Sequence, residues 1–208
     1  MRYERKYVLE NVPLFDIQQM VRLLPVGFRE AFPVRRVNNV YFDTVSFSAY
    51  QDNIIGIGDR TKFRLRWYGE HFDHLLKPVL EEKVKHGELG YKNVFPLQDT
   101  FWKDIAKAAR EIPQISNLNL SPVLINSYLR YYYATPDNRF RLTIDLDMKY
   151  GRFETSRALL PYAFSEKTVL EIKYDQEFSE EADRITQFFP LRPTKHSKYV
   201  IGIQASYG

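Results

Sequence analysis

No cysteine occurs among the 208 residues. Disulfides, thiolate metal sites and cysteine nucleophiles are therefore excluded, and a reducing compartment, by default the cytoplasm, is the expected setting. There is no apolar run near the ~18 residues that a membrane helix requires. The opening Met1-Arg2-Tyr3-Glu4-Arg5-Lys6 also puts charges where a signal peptide carries its apolar core. The expectation is a soluble, unexported chain with no membrane segment. Histidine is scarce: His71, His74, His86 and His196 scatter over expected loops and strand ends, and none is assigned to metal binding or acid–base work. No Gly-x-Ser-x-Gly elbow is present, which disfavours a serine hydrolase. Gly56-Ile57-Gly58 lacks the strand-to-helix setting of a nucleotide-binding loop and reads as a turn. No linker, repeat or low-complexity tract divides residues 1–208, so one domain is expected.

Aromatic residues are plentiful. Fifteen Tyr and 15 Phe favour half-buried pleated surfaces over helices. Period-two alternation predicts strands at residues 3–9, 36–43, 61–68, 74–85, 125–134, 140–147, 168–174 and 198–204. Helical spacing predicts helices at 14–24, 97–110 and 179–189, the last with Ser179 as its N-cap. A β-rich α+β fold follows. Its expected form is a closed antiparallel β-barrel of about eight strands with helices packed outside, because closure removes exposed strand edges.

Thirty Lys and Arg against 26 Asp and Glu leave a net charge of only +4. The placement of the charge says more than its sum. Alternation in residues 61–67 sends Phe63, Leu65 and Trp67 to one side and Lys62, Arg64 and Arg66 to the other. The following strand groups Lys77, Glu81, Lys83 and Lys85, and a later one groups Arg139, Arg141, Thr143 and Asp145. The same parity joins Glu4 to Lys6, Asn39 to Tyr41 and Asp43, Tyr128 to Arg130 and Tyr132, and Glu171 to Lys173. For any one strand, a solvated outer face is the simpler reading. Recurrence on many strands, opposite faces apolar enough to lie under helices, predicts a lumen lined with cations instead. Unpaired buried charges cost several kcal/mol each, so such a lining needs anions. The Arg fork and the Lys point charge suit a chain of phosphates, and a few carboxylates can hold a divalent metal through oxygen. Nucleic acid is not the expected partner, since single-strand binders present their basic groove on an open face.

These residues fall into motifs whose order resembles a known family. The motifs are Tyr3-Glu4-Arg5-Lys6-Tyr7, Asn39-Val40-Tyr41-Phe42-Asp43-Thr44, Lys62-Phe63-Arg64-Leu65-Arg66-Trp67-Tyr68-Gly69, Leu80-Glu81-Glu82-Lys83-Val84-Lys85, Tyr128-Leu129-Arg130-Tyr131, Phe140-Arg141-Leu142-Thr143-Ile144-Asp145, Leu170-Glu171-Ile172-Lys173 and Ser197-Lys198-Tyr199. From Arg2 to about Ile203 the chain resembles the catalytic domain of the vacuolar transporter chaperone (VTC) family, a polyphosphate polymerase domain within the CYTH-like triphosphate tunnel metalloenzymes. The resemblance implies transfer of the γ-phosphate of ATP to a growing inorganic polyphosphate, with Mn²⁺ or Mg²⁺. By motif position it implies that Lys6, Arg64, Arg66, Lys83, Arg130, Arg141 and Lys198 grip phosphates and that Glu171 binds the metal. Lys62, Lys85, Lys173 and Lys195 extend the basic lining, and Glu4, Glu81 and Asp145 are further acidic candidates. Lys195 and Lys198 compete for one role, and Lys198 fits the Ser-Lys-Tyr motif. Triphosphatases and cyclases share the same fold, which therefore does not fix the reaction. A metal-dependent triphosphatase and a non-catalytic polyphosphate-binding protein stay open as alternatives.

Overall fold

Most of the alternating segments form strands, and the computed structural model describes residues 2–156, 163–189 and 191–208. In chain order the elements are β1 (Arg2–Leu9), α1 (Leu14–Arg22), β2 (Arg29–Asp43), α2 (Ser48–Ile54), β3 (Arg60–Tyr68), β4 (His74–Leu75), β5 (Val79–His86), β6 (Leu89–Pro96) and β7 (Thr100–Phe101). There follow α3 (Ile105–Arg110), α4 (Pro113–Ser116), β8 (Ser121–Ala134), β9 (Arg141–Arg152), β10 (Ala163–Ser165), β11 (Thr168–Asp175), α5 (Ser179–Thr186) and α6 (Lys198–Tyr207).

The closed eight-stranded barrel expected from the sequence is corrected. Among the described residues the main sheet has nine strands in the order β10-β9-β11-β1-β6-β5-β3-β2-β8, with β8 and β9 also paired, β4 and β7 form a separate pair, and no sheet is a closed barrel. Alternation assigns side chains to faces; closure depends on strand tilt and stagger, which alternation does not encode.

Four local expectations also change. Residues 198–204 form a helix, not a strand: Ser197 caps it by accepting from the Val200 amide, and Tyr199, Ile203 and Ser206 recur at helical spacing on its buried side. Gly202 is required there, since a Cβ would stand 2.6 Å from Leu124 Cδ2 and 2.7 Å from Tyr150 Cδ1. The strand expected at 74–85 is interrupted by Lys77, whose φ of 46° precedes Pro78. Only the end of the helix expected at 97–110 is α-helical, because Thr100–Phe101 pairs with His74–Leu75 and Trp102–Asp104 is a 3₁₀ turn that buries Trp102. Ser179 is the first residue of α5 rather than its cap; the cap position is Phe178, with no side-chain cap bond.

The chain packs as two compact units: Met1–Arg35, Leu129–Met148 and Ser165–His196 form the first, and Arg36–Tyr128, Lys149–Phe164 and Ser197–Gly208 the second. In the first, Tyr7, Leu142, Ile144, Leu170 and Ile172 pack against Ile17 and Val21 of α1 and Ala182 and Ile185 of α5. In the second, Val40, Phe42, Phe63, Leu65, Trp67 and Leu80 pack against Trp102, Ile105, Ala109 and Ile115. Burying each large apolar side chain contributes about 1.5–3 kcal/mol. In both units the apolar strand face is the one covered by helices, which assigns the polar side chains to the other face.

Candidate functional site

In the second unit the polar face is built rung by rung. Antiparallel partners point to the same side of a sheet. Register therefore lines up Asn39 with Arg66, Tyr41 with Arg64 and Glu81, and Lys62 with Lys83 and Lys92. Glu81 is the acidic centre of this basic group. Its Oε2 receives Arg64 Nε and Nη2, each at 2.6 Å, with Arg66 Nη1 at 3.5 Å, and its Oε1 receives Lys92 Nζ at 2.6 Å. Burial alone would raise the Glu81 carboxyl, but the pull of Arg64, then Arg66, then Lys92 outweighs it and holds the group well below the usual carboxylate range. The Arg64 guanidinium, where burial opposes and Glu81 favours the charge, is held correspondingly above its ordinary value.

Arg66 also donates from Nε to Asn39 Oδ1 at 2.9 Å and from Nη2 to the Tyr128 hydroxyl at 3.2 Å. Lys198 Nζ stands 4.8 Å from the centre of the Tyr128 ring, and Lys62 Nζ donates to Ser197 Oγ at 3.2 Å. The start of α6 thus delivers Lys198 to the group by a specific route. Ser197 caps the helix, and the Tyr199 hydroxyl donates to buried Asp43, whose carboxylate also accepts from the amides of Ala49 and Tyr50 in α2. Burial, then Asp43, raises the Tyr199 phenol far above its ordinary value, so it stays a donor.

The first unit carries a different arrangement. Register places Glu4 opposite Lys173 and Arg141, and Lys6 opposite Glu171 and Thr143. Lys6 Nζ lies 3.5 Å from Glu4 and 3.7 Å from Glu171, while Lys173 Nζ lies 3.8 Å from Glu4 and 2.6 Å from Glu171. Two carboxylates are therefore interleaved with two lysines. Buried Thr143 Oγ1 has no hydrogen-bond partner among the described residues. Arg130 makes a bidentate contact with fully buried Asp145, at 2.6 and 2.7 Å. Arg141 is exposed and, with Lys173 and Arg139, borders a notch of about 20 Å³.

Of the expected residues, Lys62, Arg64, Arg66, Glu81, Lys83 and Lys198 belong to the second unit's polar group, and Lys6, Glu4, Glu171, Lys173 and Arg141 to the first unit's. Arg130 and Asp145 engage each other. Lys85 lies a rung further out, opposite Arg60, and Lys195 is exposed in the segment before α6. Sequence reasoning missed Lys92, because Gly90, Asn93 and Pro96 weaken the strand pattern of β6. The available signal was the Gly87 turn, φ 57°, which folds β6 back on β5. Among the described residues no group of three or more His, Cys, Asp or Glu is placed to hold a metal, and no helix is long and apolar enough to cross a membrane.

The comparisons with known proteins agree with this architecture. A Pyrococcus horikoshii protein is similar in structure, at 12% identity and a TM-score of 0.58, over 98% of this chain and 99% of that one. A Hippeastrum protein, described as a candidate adenylyl cyclase with a dominant triphosphatase activity, has 12% identity and a TM-score of 0.56 over 99% of this chain and 97% of its own. A Vibrio parahaemolyticus protein described as a candidate adenylate cyclase has 13% identity and a TM-score of 0.56, over 96% and 97%. At these identities the likeness is one of fold. No curated protein matches the sequence. The VTC domain, however, matches residues 1–207, and on that match the chain belongs to the VTC domain family.

Proposed function

We propose that this chain is a metal-dependent phosphotransferase that moves the γ-phosphate of ATP onto a growing inorganic polyphosphate. The observation that supports this most is the second unit's group of Lys62, Arg64, Arg66, Lys83 and Lys92 on one polar face with Glu81 buried among them. A cation group held around one carboxylate favours a polyanion, because phosphate oxygens accept the same charge-assisted, forked hydrogen bonds. Family membership and the motif resemblance favour polyphosphate as the acceptor.

In this reading Arg64 and Arg66 hold the nucleotide's phosphates, and Lys62, Lys83 and Lys198 add positive charge along the chain. A terminal polyphosphate oxygen attacks the γ-phosphorus, the bond from that phosphorus to the β–γ bridging oxygen breaks, and ADP leaves with the electron pair. The attacking oxygen is already anionic, so no general base is required, and the protein's work is alignment and charge stabilisation. A divalent ion, when bound, would be held in the first unit by Glu171 and Glu4, oxygen donors of the type that Mn²⁺ and Mg²⁺ take, with the Thr143 hydroxyl, unpartnered among the described residues, opposite Glu171 in the register. When bound, such an ion offsets charge on the phosphate oxygens.

Incubation with ATP and Mn²⁺ should yield polyphosphate on a gel together with ADP. Free phosphate released from triphosphate with no polymer would replace the polymerase by a triphosphatase, the activity described as dominant in the Hippeastrum protein. Glu171→Gln should lower metal-dependent turnover by about 100-fold or more, since an ion's electrostatic contribution is several kcal/mol. Triphosphate affinity measured without metal should persist, because the lysines remain. Normal turnover with normal metal dependence in that variant would transfer the ligand role to another carboxylate.

A further inference from the structure

Asp43 is a fully buried carboxylate of the second unit that takes no part in gripping phosphate in the reading above. Its hydrogen-bond donors are all neutral. Oδ1 accepts from the Thr44 amide at 2.7 Å, the Ala49 amide at 3.0 Å and Ser48 Oγ at 3.3 Å. Oδ2 accepts from the Tyr50 amide at 3.1 Å and from the Tyr199 hydroxyl. A buried charge without a cation persists only when hydrogen bonds satisfy it in this way. The donors from Thr44, Ser48, Ala49 and Tyr50 are local and tie Asp43 to the start of α2. The donor from Tyr199 comes from α6, at the other end of the sequence.

Tyr199 is buried, and its ring packs on the Tyr41 ring with centroids 5.1 Å apart. A phenylalanine would make that contact as well. What the hydroxyl adds is direction: ring packing tolerates rotation and sliding of a helix, whereas a bond to a fixed carboxylate oxygen does not. Strand register places Lys62, Lys83 and Lys92 in the basic group. Lys198 is instead placed by α6, one residue before Tyr199, and its Nζ stands 4.8 Å from the centre of the Tyr128 ring, whose hydroxyl accepts from Arg66. The rotation and depth of α6 therefore decide where this cation stands.

We propose that Asp43 and Tyr199 are positioning residues for Lys198, an inference that rests on the phosphate-binding reading above. The buried carboxylate holds the Tyr199 hydroxyl, and that bond sets α6 at the angle and depth that present Lys198 to phosphate. Neither residue touches the substrate. Because Asp43 is itself held by the amides of α2, the anchor does not shift when phosphate binds, and Lys198 is in place beforehand.

The test is titration calorimetry of the full chain with inorganic triphosphate in the absence of metal, beside thermal unfolding. Tyr199→Phe keeps the ring and is expected to fold and to weaken triphosphate about three- to tenfold. Lys198→Ala should weaken it about tenfold or more. The two losses should not add: in the Lys198→Ala background, Tyr199→Phe should cost less than about twofold. Ser48→Ala removes a donor from the same carboxylate while leaving α6 bonded to it, and should bind triphosphate like the wild type. Wild-type affinity in Tyr199→Phe, loss of its fold together with binding, equal weakening by Ser48→Ala, or the full loss repeated in the Lys198→Ala background each overturns the positioning role and leaves the phosphate-binding face standing. Wild-type affinity in Lys198→Ala removes that cation from the site and overturns the inference with it. A wild-type protein that binds no triphosphate overturns both readings.

Discussion

Glu81→Gln is expected to destabilise the ligand-free protein by about 3 kcal/mol at neutral pH and to strengthen binding of triphosphate. The carboxylate is 3% exposed and receives Arg64, Arg66 and Lys92. Its removal leaves three neighbouring cations repelling one another around a neutral amide. Inorganic triphosphate supplies the missing negative charge, so the rise in melting temperature that it produces should be larger in the variant than in the wild type. The pH dependence has a definite sign. Because the folded-state carboxyl is held below its unfolded value, Glu81 contributes full stability above the ordinary glutamate pKa of about 4.3. That contribution is lost as pH falls below this value and through the depressed one. The wild type should thus lose stability more steeply than Glu81→Gln on acidification below about pH 4. Denaturant unfolding from pH 7 to pH 3 measures both effects; equal stabilities with equal triphosphate shifts would refute the assignment of Glu81 as internal counter-ion.

Arg64→Ala should lower ATP-dependent turnover roughly 10- to 150-fold, the equivalent of one charge-assisted contact of about 1.5–3 kcal/mol. Arg64 contacts Glu81 and the Tyr41 hydroxyl, and Glu81 keeps Arg66 and Lys92 when Arg64 is removed. The fold should therefore survive. Arg66→Ala is the less clean experiment, because it withdraws the donor from buried Asn39 and from Tyr128 and so carries a stability cost of its own. Arg64→Lys should recover only part of the activity, since an ammonium cannot reproduce a planar fork. Steady-state kinetics of the three variants, beside thermal unfolding, decide the matter: wild-type turnover in a folded Arg64→Ala protein would remove Arg64 from the site.

Much of this arrangement is legible in the order of the amino acids. The parity that sorts Phe63, Leu65 and Trp67 from Lys62, Arg64 and Arg66 follows from the pleat of a single strand, and the same holds for Glu4 and Lys6 and for Glu171 and Lys173. Lys198 is legible as a residue type in a Ser-Lys-Tyr motif. Its helical setting is not, because Lys198 to Gln204 alternates acceptably until Gly202 meets Leu124 and Tyr150, which come from distant strands.

The division between sequence and tertiary structure follows from range. Which face a side chain occupies is set by the backbone dihedrals of its own strand, and the sequence by itself determined that for β1, β3, β8, β9 and β11. Which charges meet is set by register between strands, and only the tertiary structure decided it. Glu81 reads from sequence as a possible metal ligand and Arg130 as a phosphate-gripping cation. Register surrounds Glu81 with Arg64, Arg66 and Lys92 and joins Arg130 to Asp145, contacts that the strand pattern around each residue does not state. A shift of one residue in the β3–β5 register would turn the whole apolar set of one strand to the other face. The cost of exposing Phe63 and Leu65, rather than any attraction among the charges themselves, is what fixes the polar group in place.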